Sequence, residues 1–337
     1  MYIVNHRTIF FWITGVILAA AIGAIAVFGM PLSIDFTGGS LVEVQYTDAR
    51  PPLDTLKSNV DALKLGETSL RESGDNGVTL RAPTLTPEQH EAVLKALGLT
   101  TAAPASATSS ATVASGTAMV AMTLPGSPAA ATSSATAALT ESRFTSIGPS
   151  LGSELGKKAI WALVAVILAI VLYITWAFRR VSRPVPSWVY GLAVIAILVH
   201  DIIIPTGFYA ILAHFTGAEA DTLFVVALLA ILGYSVNDTI VIFDRVREHL
   251  ANNEKQNVRE PFDEVVGQAI RETLGRSINT SLTVVLALLA LAVLGSAATI
   301  DFAIVLLVGV VAGTYSSILL AAPLLVPLSR WLGYSDK

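Results

Sequence analysis

The sequence contains no cysteine and few charged residues, and both shortages exclude classes of function. Without cysteine among its 337 residues, the chain has no disulfide, no Cys-based zinc site and no thiol nucleophile. Charged residues make up 14% of the chain, whereas about 25% is usual in soluble domains. The small formal net charge of -4 argues against a nucleic-acid surface. Phosphate-binding loops and hydrolytic Ser/His motifs are also missing, so we expect no enzyme, no cofactor and no metal.

The scarcity of charge leaves long apolar runs, which predict membrane helices. Hydrophobic residues make up 53% of the chain, and its mean hydropathy is +0.67. A spanning helix needs about 20 mostly apolar residues. The runs predict a first transmembrane helix over 8–32 and a five-helix bundle over 157–330, with a cytoplasmic loop at about 246–272. The six runs cover residues 8–34, 159–178, 188–213, 222–243, 277–300 and 302–329.

The basic residues predict the orientation of these helices. Lys and Arg are enriched in the short cytoplasmic loops of membrane proteins. Here they precede the first span and follow the second, fourth and sixth, whereas the loops at 216–221 and 295–301 carry none. Lys157 and Lys158, before the second span, are a mild exception. We therefore expect both termini in the cytoplasm and the large loop after the first span outside it.

That large loop, residues 33–153, is predicted to be an extracytoplasmic α+β domain. Alternating apolar positions indicate strands, and apolar positions at helical spacing indicate helices. The resulting order, βαββαβ, is that of ferredoxin-like domains. The predicted elements are a strand at 40–46, a helix at 52–65, a hairpin at 68–72 and 77–81, a helix at 86–97 and a strand at 141–147.

Residues 100–140 interrupt this order with a low-complexity segment. It is almost entirely Ala, Ser, Thr, Gly and Pro, and it carries no charge. Such a composition cannot bury enough side chain to offset the entropy lost on ordering. We interpret it as a disordered insertion that the domain tolerates. A tether or a substrate-contacting arm is the alternative.

Asp238 is the strongest functional candidate, because burying an ionisable residue at membrane depth costs free energy and such residues are usually functional. It lies sixteen residues into the fourth span, about 24 Å below its outer end. Burial disfavours the charged carboxylate, and a nearby cation favours it. A group between those two states can take up and release a proton. Asn237 beside it offers a hydrogen bond, and the alternative role for Asp238 is a structural bond between helices.

Polar residues around the fifth span supply candidate partners for such a carboxylate. Arg276 opens this span and can act as a fixed positive charge. With Asn279 and Thr280 it forms a polar stripe that we predict to face the interior of the bundle. A positive-inside anchor is the alternative role for Arg276. Asp244 and Arg245, near the cytoplasmic interface, either support the site or are ordinary interfacial charges.

His200 and Asp201 interrupt the third span midway. The pair can act as a proton relay or as a polar contact between helices, and Pro205 allows a kink stabilised by polar side chains. Small residues within 15–23 and 309–313 suggest close contacts between helices.

Four segments resemble the SecD/SecF family of protein-translocase subunits, and within it the SecF members. They are the D-F-x-G-G signature Asp35-Phe36-Thr37-Gly38-Gly39 and the segments 146–152, 233–248 and 276–281. The segment 233–248 is specific, whereas D-F-x-G-G alone is shared by SecD and SecF. The resemblance covers the chain apart from 100–140.

The resemblance implies a multi-pass subunit of the Sec translocase in the bacterial plasma membrane, built like one half of an RND-type transporter. It implies that the subunit acts together with SecD and uses the proton-motive force to promote protein export through SecYEG. YajC and YidC are further implied partners. Exported unfolded polypeptide and membrane lipid are implied contacts. The family's proton-relay positions fall on Asp238 and Arg276, opposite a carboxylate of SecD. A proton-coupled transporter for small molecules or lipids and an assembly factor without proton coupling are the alternatives.

Proton movement has to reach the extracytoplasmic domain in order to do work there. One proton crossing the membrane field yields about 2.3 kcal/mol per 100 mV. Gly38 and Gly39 are adjacent glycines where the first span meets the domain, and we hypothesise a hinge at this point. Asp35 and Phe36 complete the same signature.

Overall fold

The structure, a computed structural model, describes residues 2–74, 76–98, 139–179, 185–331 and 333. Residues 100–138 of the predicted insertion lie outside this described part of the chain. The chain divides into two compact units. The membrane unit comprises residues 1–37 and 150–337, and the sheet unit comprises residues 38–149.

Helices dominate the structure, and a small sheet is inserted after the third. In chain order the helices are α1 (Tyr2–Asn5), α2 (Arg7–Phe28), α3 (Ile34–Thr37), α4 (Leu53–Asp61), α5 (Pro87–Leu97), α6 (Pro149–Ala177), α7 (Ser187–Thr216), α8 (Thr222–Gln256), α9 (Phe262–Leu294), α10 (Ala297–Ser316) and α11 (Ala322–Trp331). A π-helical turn, Ser317–Ala321, joins α10 to α11. The strands are β1 (Gly39–Tyr46), β2 (Ser69–Ser73), β3 (Gly77–Ala82) and β4 (Leu139–Ile147).

The membrane unit has the six spans that the apolar runs predict. Within the described residues, six helical segments are long and apolar enough to cross a bilayer. Five are α2, α6, α7, α8 and α9, and the sixth joins α10, the π turn and α11. The prediction of a six-helix membrane fold is confirmed.

The sheet unit has the predicted βαββαβ order. Its four strands form one antiparallel sheet in the order β2-β3-β1-β4, which is the ferredoxin-like arrangement. Val42, Val44 and Tyr46 of β1 are buried against the two helices. A capping box between Thr86 and Gln89 starts α5, as expected for a Thr-Pro-Glu-Gln sequence. The predicted α+β domain is confirmed.

Helices α8 and α9 extend beyond their apolar runs, so that most of the segment predicted as a cytoplasmic loop at 246–272 is helical. Only residues 257–261 lie between the two helices. Val246 and Val265 are fully buried in the core of the membrane unit, so an apolar face continues through a segment whose charges conceal it. Asn257, with a φ of 53°, ends α8 in the left-handed conformation that terminates many helices.

The interior of the membrane unit is formed by α7, α8 and the last span, whereas most of α6 and α9 is exposed. Glycines allow α10 to approach α8. A Cβ on Gly309 would be 2.1 Å from Ile231 Cδ1, and one on Gly313 would be 2.9 Å from Ser235 Cβ. The close contact predicted at 309–313 is confirmed. A Cβ on Gly15 or Gly23 would meet no described atom within 4 Å, and the close contact in the stretch 15–23 is made instead by Ala21, whose Cα lies 2.6 Å from the position of a Cβ on Gly207 of α7.

Candidate functional site

Asp238 lies inside the membrane unit, sixteen residues after the start of α8. Its exposed fraction is 4%. Helix α9 runs antiparallel to α8, and the Tyr234 hydroxyl donates to Ser281 Oγ at 3.0 Å. In this register Ser277 and Arg276 of α9 lie near the Asp238 carboxylate, but Ser277 Oγ makes no hydrogen bond to it and Arg276 forms no ion pair with it. The structure therefore brings Asp238 and Arg276 together, although Arg276 lies fourteen residues into α9 and does not open the helix.

One oxygen of the Asp238 carboxylate has no structural partner. Among the described residues, Asp238 Oδ2 and Ser277 Oγ are buried without a hydrogen bond. Buried polar atoms in native structures are nearly always hydrogen-bonded. A carboxylate that served only to join helices would have its oxygens occupied. An unoccupied oxygen can gain or lose a proton without breaking a bond of the fold.

The polar stripe on α9 faces out of this chain, which corrects the predicted inward orientation. Arg276, Asn279 and Thr280 are exposed, whereas the buried polar residues of α9 are Thr273, Ser277 and Ser281. Asn237, beside Asp238 on α8, is exposed as well. Polar side chains at membrane depth are costly against lipid. This surface is therefore suited to contact another polar transmembrane chain.

His200 and Asp201 form a second buried site on α7. His200 Nδ1 lies 2.8 Å from Asp201 Oδ1, and the Tyr315 hydroxyl lies 2.7 Å from His200 Nε2. Ser235 Oγ donates to Asp201 Oδ2. A carboxylate on Asp201 and a neutral His200 that donates from Nδ1 would satisfy all three bonds. The arrangement ties α7 to α8 and α10.

Several members of this second site could not be singled out from the sequence. Thr239 Oγ1 and Ser317 Oγ lie 2.9 Å apart, and both donate to the backbone oxygen of Ser235 at 3.3 Å. Ser317 begins the π-helical turn, a feature often found at functional sites. Tyr315 and Ser317 occur in a Thr-Tyr-Ser-Ser sequence within an apolar span. That polar run is the one signal that could have indicated them.

Asp244 and Arg245 lie away from Asp238, on the extension of α8. Asp244 pairs with Arg247, and Arg245 pairs with Glu248 and with Glu272 of α9. These side chains are at least one-third exposed. Exposed ion pairs contribute about 0–1 kcal/mol each. The geometry therefore favours the ordinary interfacial role for both residues.

The D-F-x-G-G signature has a structural role at each position for which contacts are described. Asp35 Oδ2 accepts hydrogen bonds from the backbone N–H and the hydroxyl of Thr222, at 3.0 and 2.9 Å. Phe36 packs 3.8 Å from the position of a Cβ on Gly156. Gly38 has a φ of 76°, and a Cβ there would be 2.6 Å from Pro149 Cα. Gly39 starts β1 with a φ of 124°.

Carboxylates also gather at the start of α8. Asp221 accepts a hydrogen bond from the Phe224 N–H at 2.9 Å and so caps the helix. Burial raises the pKa of Asp221; the bond from Phe224 lowers it, and the nearby charge of Asp35 raises it further. Asp301 also interacts with Asp221. Across the described part of the chain, no group of three or more His, Cys, Asp or Glu residues could hold a metal ion.

Comparison with known proteins identifies the family. The family described as "Protein export membrane protein SecD/SecF, C-terminal" matches residues 128–331, and the "SecD/SecF GG Motif" matches residues 23–49. The chain belongs to the SecD/SecF family. The resemblance noted in the four sequence segments is thereby confirmed.

SecF proteins are similar to this chain over almost its whole length. The protein translocase subunit SecF of Thermobaculum terrenum is 35% identical over 336 residues, covering 96% of this chain and 92% of that protein. The same subunit of Anaerolinea thermophila is 32% identical over 326 residues, with the same coverage. The chain is therefore a SecF-type translocase subunit in a multi-pass membrane protein family, and not an enzyme.

Two solved SecDF structures share the fold. The crystal structure of SecDF from Thermus thermophilus, a translocon-associated membrane protein, matches with a TM-score of 0.74 and 27% identity. SecDF in its super-membrane-facing form matches with a TM-score of 0.60 and 26% identity. This chain is covered to 99% and 98%, but it spans only 39% and 38% of those chains. The RND-like membrane fold predicted for one half of a larger bundle is confirmed.

Proposed function

We propose that this chain is an accessory subunit of the Sec translocase that works with SecD and uses the proton-motive force to promote protein export. One observation carries the proposal, namely a buried carboxylate at membrane depth, Asp238, that has an unpaired oxygen and on which the charge of Arg276 acts from the neighbouring helix. Both termini are cytoplasmic in this proposal, and the sheet unit lies outside the plasma membrane.

Asp238 and Arg276 form the proton relay in this proposal. Protonation neutralises Asp238 and removes most of its attraction to Arg276, since that attraction depends on charge. Release of the proton restores the attraction. Each proton that crosses the field supplies about 2.3 kcal/mol per 100 mV. Alternation between the two states displaces α8 and α9 relative to each other.

The exposed polar stripe supports a partner that completes the relay. Arg276, Asn279 and Thr280 of α9 and Asn237 of α8 are open at the surface of this chain. A partner helix with a carboxylate would satisfy Arg276 and remove these groups from lipid. SecD is the proposed partner, and the SecDF chains, of which this chain spans 39%, are consistent with this. SecYEG, YajC, YidC, unfolded polypeptide and lipid are the further proposed contacts.

The second buried site supports the relay by fixing the helices around it. His200 and Asp201 hold α7 to Tyr315 of α10 and to Ser235 of α8. Ser235 lies three residues before Asp238, so it is one turn away on α8. We propose that this site keeps the Asp238 turn in place while the relay titrates.

The test is export of a secreted protein by cells in which Asp238→Asn replaces the wild-type residue. Asparagine keeps the size of the side chain but cannot titrate, so we expect export to fall to the level of a deletion. Glu254→Gln is the matched control, since it makes the same chemical change at an exposed position of the same helix. It should export normally.

Copurification with partner subunits separates the possible results. If Asp238→Asn assembles with translocon subunits but does not export, the proposal stands. Normal export by this variant would contradict the relay. Loss of a proton-coupled activity without copurification of translocon subunits would favour a small-molecule or lipid transporter. Activity that is independent of the proton-motive force would favour an assembly factor.

A further inference from the structure

We propose that Asp35 is a positioning residue that fixes the start of α8 to the chain segment leading into the sheet unit. Helix α8 carries Asp238, so this joint connects the proposed relay to strand β1. The inference rests on the proposed function and specifies how movement of the relay helix reaches the sheet unit. It also gives Asp35 a role separate from the hypothesised hinge at Gly38 and Gly39.

The Asp35 carboxylate binds the first residue of α8. Its Oδ2 accepts from the Thr222 N–H at 3.0 Å and from the Thr222 hydroxyl at 2.9 Å. The first N–H groups of a helix lack partners within the helix, and its dipole favours negative charge there. Asp221 supplies a second acceptor through the Phe224 N–H. The bonds from Thr222 to Asp35 tie the start of α8 to a segment 187 residues earlier in the chain.

Backbone hydrogen bonds make this joint stiff. The Ser33 N–H donates to the Ala220 oxygen at 2.9 Å, and the Ala220 N–H donates to the Pro31 oxygen at 2.7 Å. Leu32 and Ala220 thereby form a parallel β-bridge. The Asp35 N–H also donates to Ser33 Oγ at 3.2 Å. Residues 31–35 therefore cannot shift against residues 220–222 unless several bonds break together.

The joint between Asp35 and Thr222 lies between the relay helix α8 and the sheet unit, which the proposed function has to connect. On one side, α8 is a single α-helix from Thr222 to Gln256, so a displacement at Asp238 is carried along it to Thr222. On the other side, Asp35 lies in α3, and only Gly38 separates α3 from β1. Within the sheet unit, Gly38 packs directly on the Pro149 backbone. Three residues of the chain, 36–38, therefore lie between Asp35 and the start of β1.

The first test compares two substitutions at Asp35 in inverted membrane vesicles. The measured quantity is the part of protein translocation that an ionophore abolishes. Asp35→Ala removes the acceptor of both Thr222 bonds, and we expect at least a fivefold loss. Asp35→Asn keeps an oxygen that can accept both bonds, and we expect less than a twofold loss. Equal translocation by Asp35→Ala and wild type would overturn the inference.

A disulfide provides a reversible rescue, because the chain has no cysteine of its own. Partners in a β-bridge lie about 4.8 Å apart, within the range of about 4.4–6.8 Å between Cα atoms that a disulfide spans. Leu32→Cys with Ala220→Cys should restore the Asp35→Ala variant to within twofold of wild type when oxidised. Reduction should remove the rescue. A defect caused only by misfolding would not respond to the redox state of this joint.

If Asp35→Ala fails to assemble, the variant to test is Leu32→Cys with Ala220→Cys in a chain that keeps Asp35. A stiff joint that stays closed predicts that oxidation leaves translocation unchanged. Loss of translocation on oxidation would mean that the joint has to open, and the inference would be overturned. If Asp238→Asn abolishes translocation while Asp35→Ala does not, the inference alone fails. If Asp238→Asn has no effect, the proposed function fails first.

Discussion

Replacing Gly309 with alanine should destabilise the membrane unit, because there is no room for a methyl group between α10 and α8. The new Cβ would lie 2.1 Å from Cδ1, 2.4 Å from Cγ1 and 3.1 Å from Cγ2 of Ile231. Ile231 is fully buried, so its side chain has little freedom to move aside. The two helices must separate, or Ile231 must adopt a strained rotamer.

The size of the effect follows from two opposing contributions. Overpacking of a core costs about 1–3 kcal/mol, whereas alanine gains up to about 1 kcal/mol over glycine in a helix. A clash this severe belongs at the upper end of the first range, about 2–3 kcal/mol, so Gly309→Ala should lower the free energy of unfolding by about 1–2 kcal/mol. Ile231→Ala alone should cost about 2–5 kcal/mol by leaving a cavity. In the double variant the new methyl group occupies part of that cavity.

A double-mutant cycle on the purified protein in detergent measures this compensation. The double variant should be more stable than the sum of the single changes, by at least about 1 kcal/mol of coupling. Gly15→Ala is the control, since a Cβ there meets no described atom within 4 Å, and it should show only the gain of alanine over glycine in a helix, up to about 1 kcal/mol. Additive effects of Gly309→Ala and Ile231→Ala would refute the close contact.

Three further predictions concern polar groups. Tyr315→Phe leaves His200 Nε2 without its hydroxyl partner and should cost about 1–3 kcal/mol in the free energy of unfolding. Burial raises the pKa of Asp221, so ionisation of this carboxyl costs stability. Asp221→Asn should therefore raise the unfolding temperature at pH 8. The gain should shrink as the pH falls towards 3.8, the ordinary pKa of an aspartate. A gain that grows in acid would contradict this sign. Tyr46→Phe removes a 2.7 Å bond to the Leu97 oxygen; it should cost about 1 kcal/mol and speed hydrogen exchange at the end of α5.

The elements that depend on local pattern could be predicted from the sequence. The six spans follow from runs of apolar residues, which the bilayer requires whatever the packing between helices. In the sheet unit, the alternation of Val42, Val44 and Tyr46 predicts a strand with one buried face. Thr86 followed by Pro87 and Gln89 predicts the start of α5. Each of these signals lies within a few residues of the element that it determines.

The features that depend on distant contacts could not be predicted in this way. Asp35 bonds to Thr222, and His200 bonds to Tyr315, across long stretches of sequence. The outward orientation of Asn279 on α9 depends on which side of that helix α8 packs. Gly38 suggested a hinge, whereas the structure shows a close approach to Pro149. Alanine at Gly38 would therefore disturb packing whether or not a hinge exists, so it cannot test the hinge.

The most direct measurement of the central claim is translocation into inverted membrane vesicles with and without an ionophore that collapses the proton-motive force. The account predicts that wild-type vesicles lose translocation when the ionophore is added. Vesicles carrying Asp238→Asn should translocate at the lower rate in both conditions, with the variant present at the wild-type level. A variant that still responds to the ionophore as wild type does would show that Asp238 carries no proton, and the account would be wrong.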